Sequence, residues 1–529
     1  MSLEILDTTL RDGAQGEGVE FSIEDKQRIA ILLEQFGIPY IEAGNPFGNP
    51  KDKTFFDEYK KNPFLSKSQL VPFGATCRAY IEPEDDAGLS CLLSTEQNTI
   101  SIFGKSDINH VMNVLRVSKE ENLRMIEQSV RYLVSKGRTV LYDAEHFFDG
   151  MKSDSEYAIA TLKSAILGGA STLVLCDTNG GTLPDEIYEL TNRVVNLFSE
   201  CKIGIHCHDD AGLAVACTLS AVKSGVTMIQ GTIGGVGERC GNANLCTLLP
   251  TLQLKMGYTM VSSANLASLT DVSRMICDIM NILPNRRAPY IGYASFAHKG
   301  GMHIDGVSKT ASSFEHISPE LVGNRRRFLI SDQVGRTGVY HRVKRLFPEI
   351  ERDDPKITAL IERLKRREQR GYAYESADAS FSLLALATFG HAYRYFEISD
   401  FHVISGGKPN KELAQAYIKI TVDGKNEINA AEGDGPVNAM DIALRKVLMV
   451  FYPSLTHMQL RDFKVRVVKR GGTASVVRVI IESTDGHQVW TTVGVSANII
   501  EACLRALCDS VSYYLSFVNI PEGNCPKLN

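Results

Sequence analysis

The chain has 529 residues, of which 44% are hydrophobic and 22% are charged, a composition typical of globular proteins. A formal net charge of -5 and a pI near 6.2 argue against a general polyanion-binding surface, so we expect no nucleic-acid partner. The N-terminal segment lacks the basic and apolar regions of a signal peptide, and no apolar run reaches the roughly 20 residues of a membrane-spanning helix.

A regular alternation of strand and helix patterns occupies residues 1–262. Ser22 and Asp25 predict a capping box that opens the first helix, and Gly37 is expected to end it. The predicted strands are 3–9, 39–44, 69–76, 98–104, 139–146, 171–178, 202–209 and 226–233. Eight such units predict a (β/α)8 barrel rather than an open doubly wound sheet. No G-x-G-x-x-G fingerprint follows the first strand, which further disfavours a dinucleotide-binding fold.

Two further regions follow the predicted barrel. Residues 263–371 are rich in charge and helix patterns, and we interpret them as a helical linker and lid region. Residues 372–529 mix strands with helices and predict a separate α+β domain. The predicted strands of that domain are 395–405, 416–424, 463–470 and 475–483, and its predicted helices are 438–452 and 497–517.

The twelve cysteines are scattered along the chain without a C-x-x-C pair. Most lie in apolar runs, where cysteine packs as a small hydrophobic residue. Because disulfides are rare in the cytosol, this distribution is typical of reduced thiols in a cytoplasmic protein. We therefore predict a soluble protein of the cytoplasm.

Polar residues at the carboxyl ends of the predicted strands are the first candidates for a site, because (β/α)8 active sites lie there. His206 and His208 alternate along strand seven and so project to the same face. Asp12 follows strand one, which closes onto the last strands of the barrel. Two imidazoles and one carboxylate leave open coordination positions, as a catalytic metal requires. The glycine-rich segment 234–242 follows strand eight and brings Asn242 within reach of such a metal.

Other polar residues surround this predicted metal site. Arg11 adjoins Asp12 and can stabilise an alkoxide or enolate. We assign Arg11, together with Gln15 in the same loop, to substrate binding. Glu145 ends strand five and is a candidate base. Thr178, after strand six, offers a hydroxyl to a substrate carboxylate. His303 lies in a glycine-hinged polar segment that can cover the barrel mouth and act as a general acid or base.

These residues resemble the paired signatures of the 2-isopropylmalate, homocitrate and citramalate synthases, which belong to the DRE-TIM metallolyase superfamily. The first signature runs from Leu10 to Gly18 and continues at Lys26, and the second runs from Ile205 to Gly212. Residues 237–242 match the strand-eight loop of that family. Residues 431–439 are similar to the dimeric allosteric domain of the isopropylmalate-type synthases.

Within that family the chain looks most like the citramalate synthase branch. The similar segments are 49–52, 145–150 and 323–326. The strand-two segment 42–46 departs from the branch, where a glycine and a tryptophan are expected.

The resemblance implies a metal-dependent, Claisen-type condensation of acetyl-CoA with pyruvate, followed by thioester hydrolysis, in isoleucine biosynthesis. Asp12, His206 and His208 would hold Mg²⁺, Mn²⁺ or Zn²⁺, with Asn242 nearby. Pyruvate would bind the metal, and Thr178 would take one oxygen of its carboxylate.

The resemblance also assigns the acid-base groups and the C-terminal domain. Arg11 would stabilise the charge that develops on oxygen, and either Glu145 or His303 would remove the methyl proton of acetyl-CoA. The C-terminal domain would pair two subunits into a homodimer and bind isoleucine or leucine as an effector.

Three alternatives to this function stay open. 2-Ketoisovalerate or 2-ketoglutarate can replace pyruvate in a closely related synthase, because one methylene in a pocket changes binding by only about 1–3 kcal/mol. A lyase of the same superfamily is less favoured, because the lyases of that group lack the C-terminal domain. A non-enzymatic amino-acid sensor is less favoured still, because it would have no reason to keep all the polar residues of the predicted metal site.

Overall fold

The computed structural model describes residues 3–329, 336–406, 413–469 and 475–518. These residues form two compact units. The first unit comprises Met1–Phe296 and Ile317–Arg325, and the second comprises Ala297–His316 and Arg326–Asn529. The division into three domains near residues 262 and 371 stays a prediction.

A closed barrel of eight parallel strands forms the centre of the first unit. Its strands are β1 (Glu4–Asp7), β2 (Tyr40–Gly44), β3 (Gln69–Ala75), β4 (Thr99–Lys105), β5 (Thr139–Glu145), β6 (Thr172–Asp177), β7 (Lys202–Cys207) and β8 (Met228–Gly231). The ring closes because β1 pairs in parallel with β8, with Glu4 opposite Met228 and Asp7 opposite Gly231. Each strand overlaps a predicted one, and the prediction of a (β/α)8 barrel is confirmed.

Helices follow the strands and cover the outside of the barrel. They are α1 (Ile23–Phe36), α2 (Pro50–Lys61), α3 (Ala87–Ser94), α4 (Lys119–Ser135), α5 (Phe147–Ser153), α6 (Ser155–Gly168), α7 (Pro184–Leu197), α8 (Ala214–Ser224), α9 (Leu245–Lys255), α10 (Ser263–Leu266) and α11 (Leu269–Ile279). α1 begins at the predicted capping box of Ser22 and Asp25 and ends at Gly37, whose φ is 101°.

The barrel interior has an apolar layer and, above it, a polar one. Leu6, Val71, Leu141 and Met228 form a separate buried cluster inside the ring. Because side chains alternate along a strand, the inward positions two residues further on include Asp143 on β5 and Gln230 on β8. The alternation therefore places polar side chains between the apolar layer and the carboxyl ends of the strands, where the candidate site lies.

The second unit contains two three-stranded antiparallel sheets and a two-stranded one. Its strands are β9 (Ala297–His298), β10 (Arg327–Phe328), β11 (Glu397–Ser405), β12 (Ala414–Val422), β13 (Lys425–Gly433), β14 (Gln459–Lys469), β15 (Val476–Thr484) and β16 (Val489–Ser496). Its helices are α12 (Gly301–Lys309), α13 (Arg336–Leu346), α14 (Pro355–Gln369), α15 (Asp378–Phe389), α16 (Pro436–Met449) and α17 (Ile499–Tyr513). The predicted α+β character of the C-terminal region is confirmed.

Four strands of the second unit were absent from the sequence prediction: the two-residue strands β9 and β10, and the longer strands β13 and β16. The sequence of β13 is KNEINAAEG, and much of this strand is exposed. Polar residues therefore occupy both of its faces, and the sequence does not show the alternation of polar and apolar residues that indicates a strand. β16 is buried at most of its positions, so its two faces do not differ in polarity. No helix within the described ranges is long and apolar enough to cross a membrane. The eleven cysteines that the structure describes are free, as predicted.

Candidate active site

Asp12, His206 and His208 converge at the carboxyl end of the barrel. The Nε2 atoms of His206 and His208 are 3.4 Å apart, and they lie 3.6 and 3.8 Å from Oδ2 of Asp12. All three side chains are buried. One potential ligand atom from each residue lies within 4.8 Å of the others. The structure thus brings together the three residues that the sequence predicted as metal ligands.

Hydrogen bonds behind the two imidazoles orient their lone pairs. Nδ1 of His208 donates to the carbonyl oxygen of Gly241 at 3.2 Å, and a carbonyl can only accept. Nδ1 of His206 donates to Oε1 of Gln230 at 2.9 Å. Each Nε2 therefore presents a lone pair towards Asp12, as a metal-binding imidazole must. Burial, reinforced by His208, lowers the pKa of His206 to about 3, so this ring is neutral.

Asp12 is held as a carboxylate between two donors. Nη1 of Arg11 donates to Oδ2 at 2.8 Å, and Nδ2 of Asn242 donates to Oδ1 at 2.9 Å. Burial by itself would raise the pKa of Asp12, but the charge of Arg11 and the hydrogen bond from Asn242 hold this pKa below its usual value. The site therefore keeps a negative charge inside the barrel.

The hydrogen bonds of the Asn242 side chain show whether a metal ion fits among these residues. Its Nδ2 donates to Asp12 and also to the carbonyl oxygen of Val236 at 3.2 Å. Its Oδ1 is buried and has no hydrogen-bond partner among the described residues. A buried carbonyl oxygen without a hydrogen-bond partner lowers the stability of the folded protein. A cation, or a water molecule bound to that cation, would supply the missing partner. Together with two imidazoles and a carboxylate, this donor set fits a divalent metal.

The glycine loop after β8 is shaped to lie against this set. A Cβ at Gly237 would lie 2.1 Å from Nδ2 of Asn242 and 3.1 Å from Oδ1 of Asp12. A Cβ at Gly241, whose φ is 90°, would lie 1.9 Å from the carbonyl oxygen of Gly235. The loop can therefore approach the site closely only because these positions are glycine.

Arg11 is fixed in place by a carboxylate that sequence reasoning did not select. Its Nε donates to Oε2 of Glu42 at 2.6 Å, and Glu42 is fully buried on β2. The guanidinium carbon lies 3.9 Å from the centre of the Phe73 ring. The only sequence signal for Glu42 was its place in the segment that departs from the citramalate synthase branch.

The predicted residues Thr178 and Glu145 lie at the ends of β6 and β5. Oγ1 of Thr178 accepts a hydrogen bond from the backbone N–H of His146 at 2.8 Å, which leaves its own O–H to donate. Glu145 forms an ion pair with Lys105, whose Nζ lies 2.5 Å from Oε2.

Gln15 and His303 lie in less enclosed positions. Gln15 is exposed at the end of the short 3₁₀ helix Gly13–Gln15, in the same loop as Asp12. His303 belongs to the second compact unit, where it is exposed on α12 and stacks on Phe314 with 4.1 Å between ring centres.

Known proteins and family models match nearly the whole chain, including the candidate site. The HMGL-like family model matches residues 2–276, the homocitrate synthase post-HMGL domain-like model matches 290–371, and the LeuA allosteric (dimerisation) domain model matches 375–515. The (R)-citramalate synthase of Aquifex aeolicus is 47% identical over 514 residues, covering 97% of each chain. That of Synechocystis sp. is 45% identical over 527 residues, covering 97% of this chain and 96% of the relative.

The chain belongs to the (R)-citramalate synthase family. A more distant member of this family, from Streptomyces coelicolor, is still 41% identical over 517 residues, with 97% of each chain covered. The predicted family is therefore confirmed. The barrel with Asp12, His206 and His208 lies in the HMGL-like match, and β11–β16 lie in the LeuA match.

Proposed function

We propose that this protein is an acyltransferase that condenses acetyl-CoA with pyruvate to form citramalate. The observation that carries the proposal is that five relatives at 41–47% identity, matched over 97–99% of this chain, are all (R)-citramalate synthases. A similarity that extends through both compact units supports a shared overall reaction. Isoleucine biosynthesis is the pathway that this product would feed.

Asp12, His206 and His208 would hold Mg²⁺, Mn²⁺ or Zn²⁺, and Asn242 would contribute its unpartnered Oδ1 directly or through a water. When bound, such a cation supplies a Lewis acid that polarises the keto group of the substrate. The imidazole of His206 and the carboxylate of Asp12 need no proton change to act as ligands, because burial favours the neutral ring and Arg11 favours the charged carboxylate.

The residues around the metal ligands suit a small 2-keto acid. The guanidinium of Arg11 would stabilise negative charge on the keto oxygen during the addition, and its pair with Glu42 holds it in place. Thr178 would donate its free O–H to the substrate carboxylate, since its Oγ1 already accepts from the backbone. Gln15 would add a further contact to the substrate from the loop that carries Arg11.

Either Glu145 or His303 would accept the methyl proton of acetyl-CoA. Glu145 ends β5 and forms an ion pair with Lys105, and His303 is exposed on α12. Exchange of the acetyl-CoA methyl protons with deuterium separates the two assignments. The variant of the true base, Glu145→Gln or His303→Asn, should lose this exchange, whereas the other should retain it.

Free-thiol release from acetyl-CoA tests the reaction directly. The assay compares pyruvate, 2-ketobutyrate, 2-ketoisovalerate and 2-ketoglutarate in the presence of Mg²⁺ or Mn²⁺. A preference for pyruvate supports citramalate synthesis. Higher kcat/KM with 2-ketoisovalerate would instead make the protein a 2-isopropylmalate synthase, and release from none of the four would contradict the synthase assignment.

The LeuA match supports an amino-acid effector, isoleucine or leucine, in the C-terminal region. The second unit contains a cavity of about 890 Å³. Aliphatic residues such as Val493 and Leu504 line it together with Arg367, Arg505 and Glu501. An apolar surface beside charges of both signs suits an amino acid with an aliphatic side chain. Isothermal titration with each amino acid, alongside turnover, tests this role; no heat and unchanged turnover would contradict it.

We also propose a homodimer. Phe463, Val465 and Val467 lie on one face of the edge strand β14 and are 38–59% exposed. They pair with Ile481, Val479 and Val477, which belong to the core of the second unit or pack against it. A second copy that covers this stripe would complete the same apolar layer. Val465→Glu should shift the mass measured by light scattering towards the monomer, whereas Lys464→Glu, on the opposite face, should not. The cytoplasm stays the predicted location.

A further inference from the structure

The polar layer beneath the candidate metal ligands contains a buried amide that packing alone does not require. Gln230 is fully buried on β8, two residues after Met228, which packs in the apolar layer of the barrel. An aliphatic side chain would fill this inward position, whereas a buried amide is costly unless its hydrogen bonds are made. The contacts of Gln230 therefore indicate a role beyond filling space.

Gln230 connects His206 to a carboxyl group on another strand. Its Oε1 lies 2.9 Å from Nδ1 of His206, and its Nε2 donates to Oδ1 of Asp143 at 3.3 Å. Asp143 is itself buried on β5. The contact with Asp143 holds the amide so that its oxygen, and not its nitrogen, faces the imidazole.

The orientation of this amide decides which imidazole nitrogen of His206 carries the hydrogen. An oxygen opposite Nδ1 requires hydrogen on Nδ1 and leaves a lone pair on Nε2, which lies 3.6 Å from Asp12. A nitrogen in the same place would favour the opposite tautomer, whose Nε2–H cannot bind a cation. His208 does not need such a residue, because a backbone carbonyl already accepts from its Nδ1.

We propose that Gln230 is a positioning residue that keeps His206 in its metal-binding tautomer, and that Asp143 acts through Gln230 by fixing the orientation of the amide. The inference rests on the proposed metal site. It adds to that site the two residues that prepare one ligand before the cation arrives. Partners of this kind on metal-binding histidines change metal affinity by about 10–100-fold when removed.

Titration of the purified full-length protein with Mn²⁺, measured calorimetrically without substrates, tests the proposal. Gln230→Met has nearly the same length and removes the acceptor, so its Kd for Mn²⁺ should rise by about 10–100-fold. Gln230→Glu keeps an oxygen opposite Nδ1 and should therefore lose much less affinity for Mn²⁺ than Gln230→Met. At saturating Mn²⁺, kcat of Gln230→Met should recover, because the affected step is loading of the site. Thermal unfolding of each variant checks that the fold is retained.

A second comparison separates Asp143 from Gln230. Asp143→Leu should weaken Mn²⁺ binding in the wild-type background and should add nothing to Gln230→Met, because both changes interrupt one chain of contacts. Additive losses would overturn the role assigned to Asp143. Wild-type affinity in Gln230→Met, or equal losses in Gln230→Met and Gln230→Glu, would overturn the positioning role. If His206→Ala bound Mn²⁺ as well as the wild type, the proposed metal site itself would fail, and the inference with it.

Discussion

Replacement of Lys26 tests how the loop that carries Arg11 and the strand β2 that carries Glu42 are held together. Lys26 is buried on α1, and its Nζ donates to the carbonyl oxygens of Leu10 at 3.1 Å and Ala43 at 2.8 Å. It also pairs with the buried carboxylate of Asp52. One ammonium group thus joins the segment after β1 and the end of β2 to α2. Lys26→Met keeps most of the side-chain volume and removes all three contacts.

The expected loss in the free energy of unfolding follows from the unpaired charge that the variant leaves on Asp52. Removing one partner of a buried ion pair costs about 3–5 kcal/mol, because the remaining charge stays buried and unpaired. This is a large part of a typical stability of about 5–15 kcal/mol. Adding Asp52→Asn removes the stranded charge and keeps an acceptor for the backbone N–H of Asn45, which donates to Oδ2 at 2.9 Å. The double variant should therefore recover part of the loss, with two carbonyls still unpaired.

Urea unfolding followed by far-ultraviolet circular dichroism measures the loss, with Lys51→Met as the matched control. Lys51 is exposed and makes one hydrogen bond to the carbonyl of Phe21 at 3.1 Å, so its replacement should cost less than about 1 kcal/mol. Because Leu10 and Ala43 adjoin Arg11 and Glu42, kcat should also fall in Lys26→Met. If Lys26→Met lost no more stability than Lys51→Met, the proposed linking role would be wrong.

Three further predictions concern the site and its pH dependence. Asp12→Ala or His208→Ala should abolish Mn²⁺ binding and turnover with an unchanged circular dichroism spectrum, and near wild-type activity in either would show that the metal site is misplaced. Gly237→Ala should also lose Mn²⁺ binding, because its Cβ would lie 2.1 Å from Nδ2 of Asn242, whereas Gly257→Ala, which has a positive φ but no atom within 4 Å, should retain it. Burial raises the pKa of Asp7 to about 7, although Thr9 donates to both its carboxylate oxygens. The folded protein therefore holds a proton that the unfolded chain releases near pH 4, so stability should fall as the pH rises from about 4 to about 7 and should level off above that. Asp7→Asn should accordingly stabilise the protein by about 2–4 kcal/mol at pH 8 and by little at pH 4, in urea unfolding at the two pH values; equal effects at both would contradict this.

Local sequence patterns were sufficient to predict the barrel and the three candidate metal ligands. Eight apolar runs separated by amphipathic helices have the periods of strand and helix, and short-range signals such as Ser22 and Gly37 mark where a helix begins and ends. His206 and His208 are two residues apart on one strand, so their common direction follows from the alternation of side chains. Asp12 could be added because a closed barrel makes the first and last strands neighbours.

Only the tertiary structure decided which polar groups support these ligands. Arg11 and Glu42 are 31 residues apart, His206 and Gln230 are 24 apart, and Gln230 and Asp143 are 87 apart. Whether two such residues meet depends on the stagger between strands and on the height of each side chain in the barrel, which the pattern along one strand does not specify. Periodicity therefore determines which face a residue occupies, and the register of the closed barrel determines its partner.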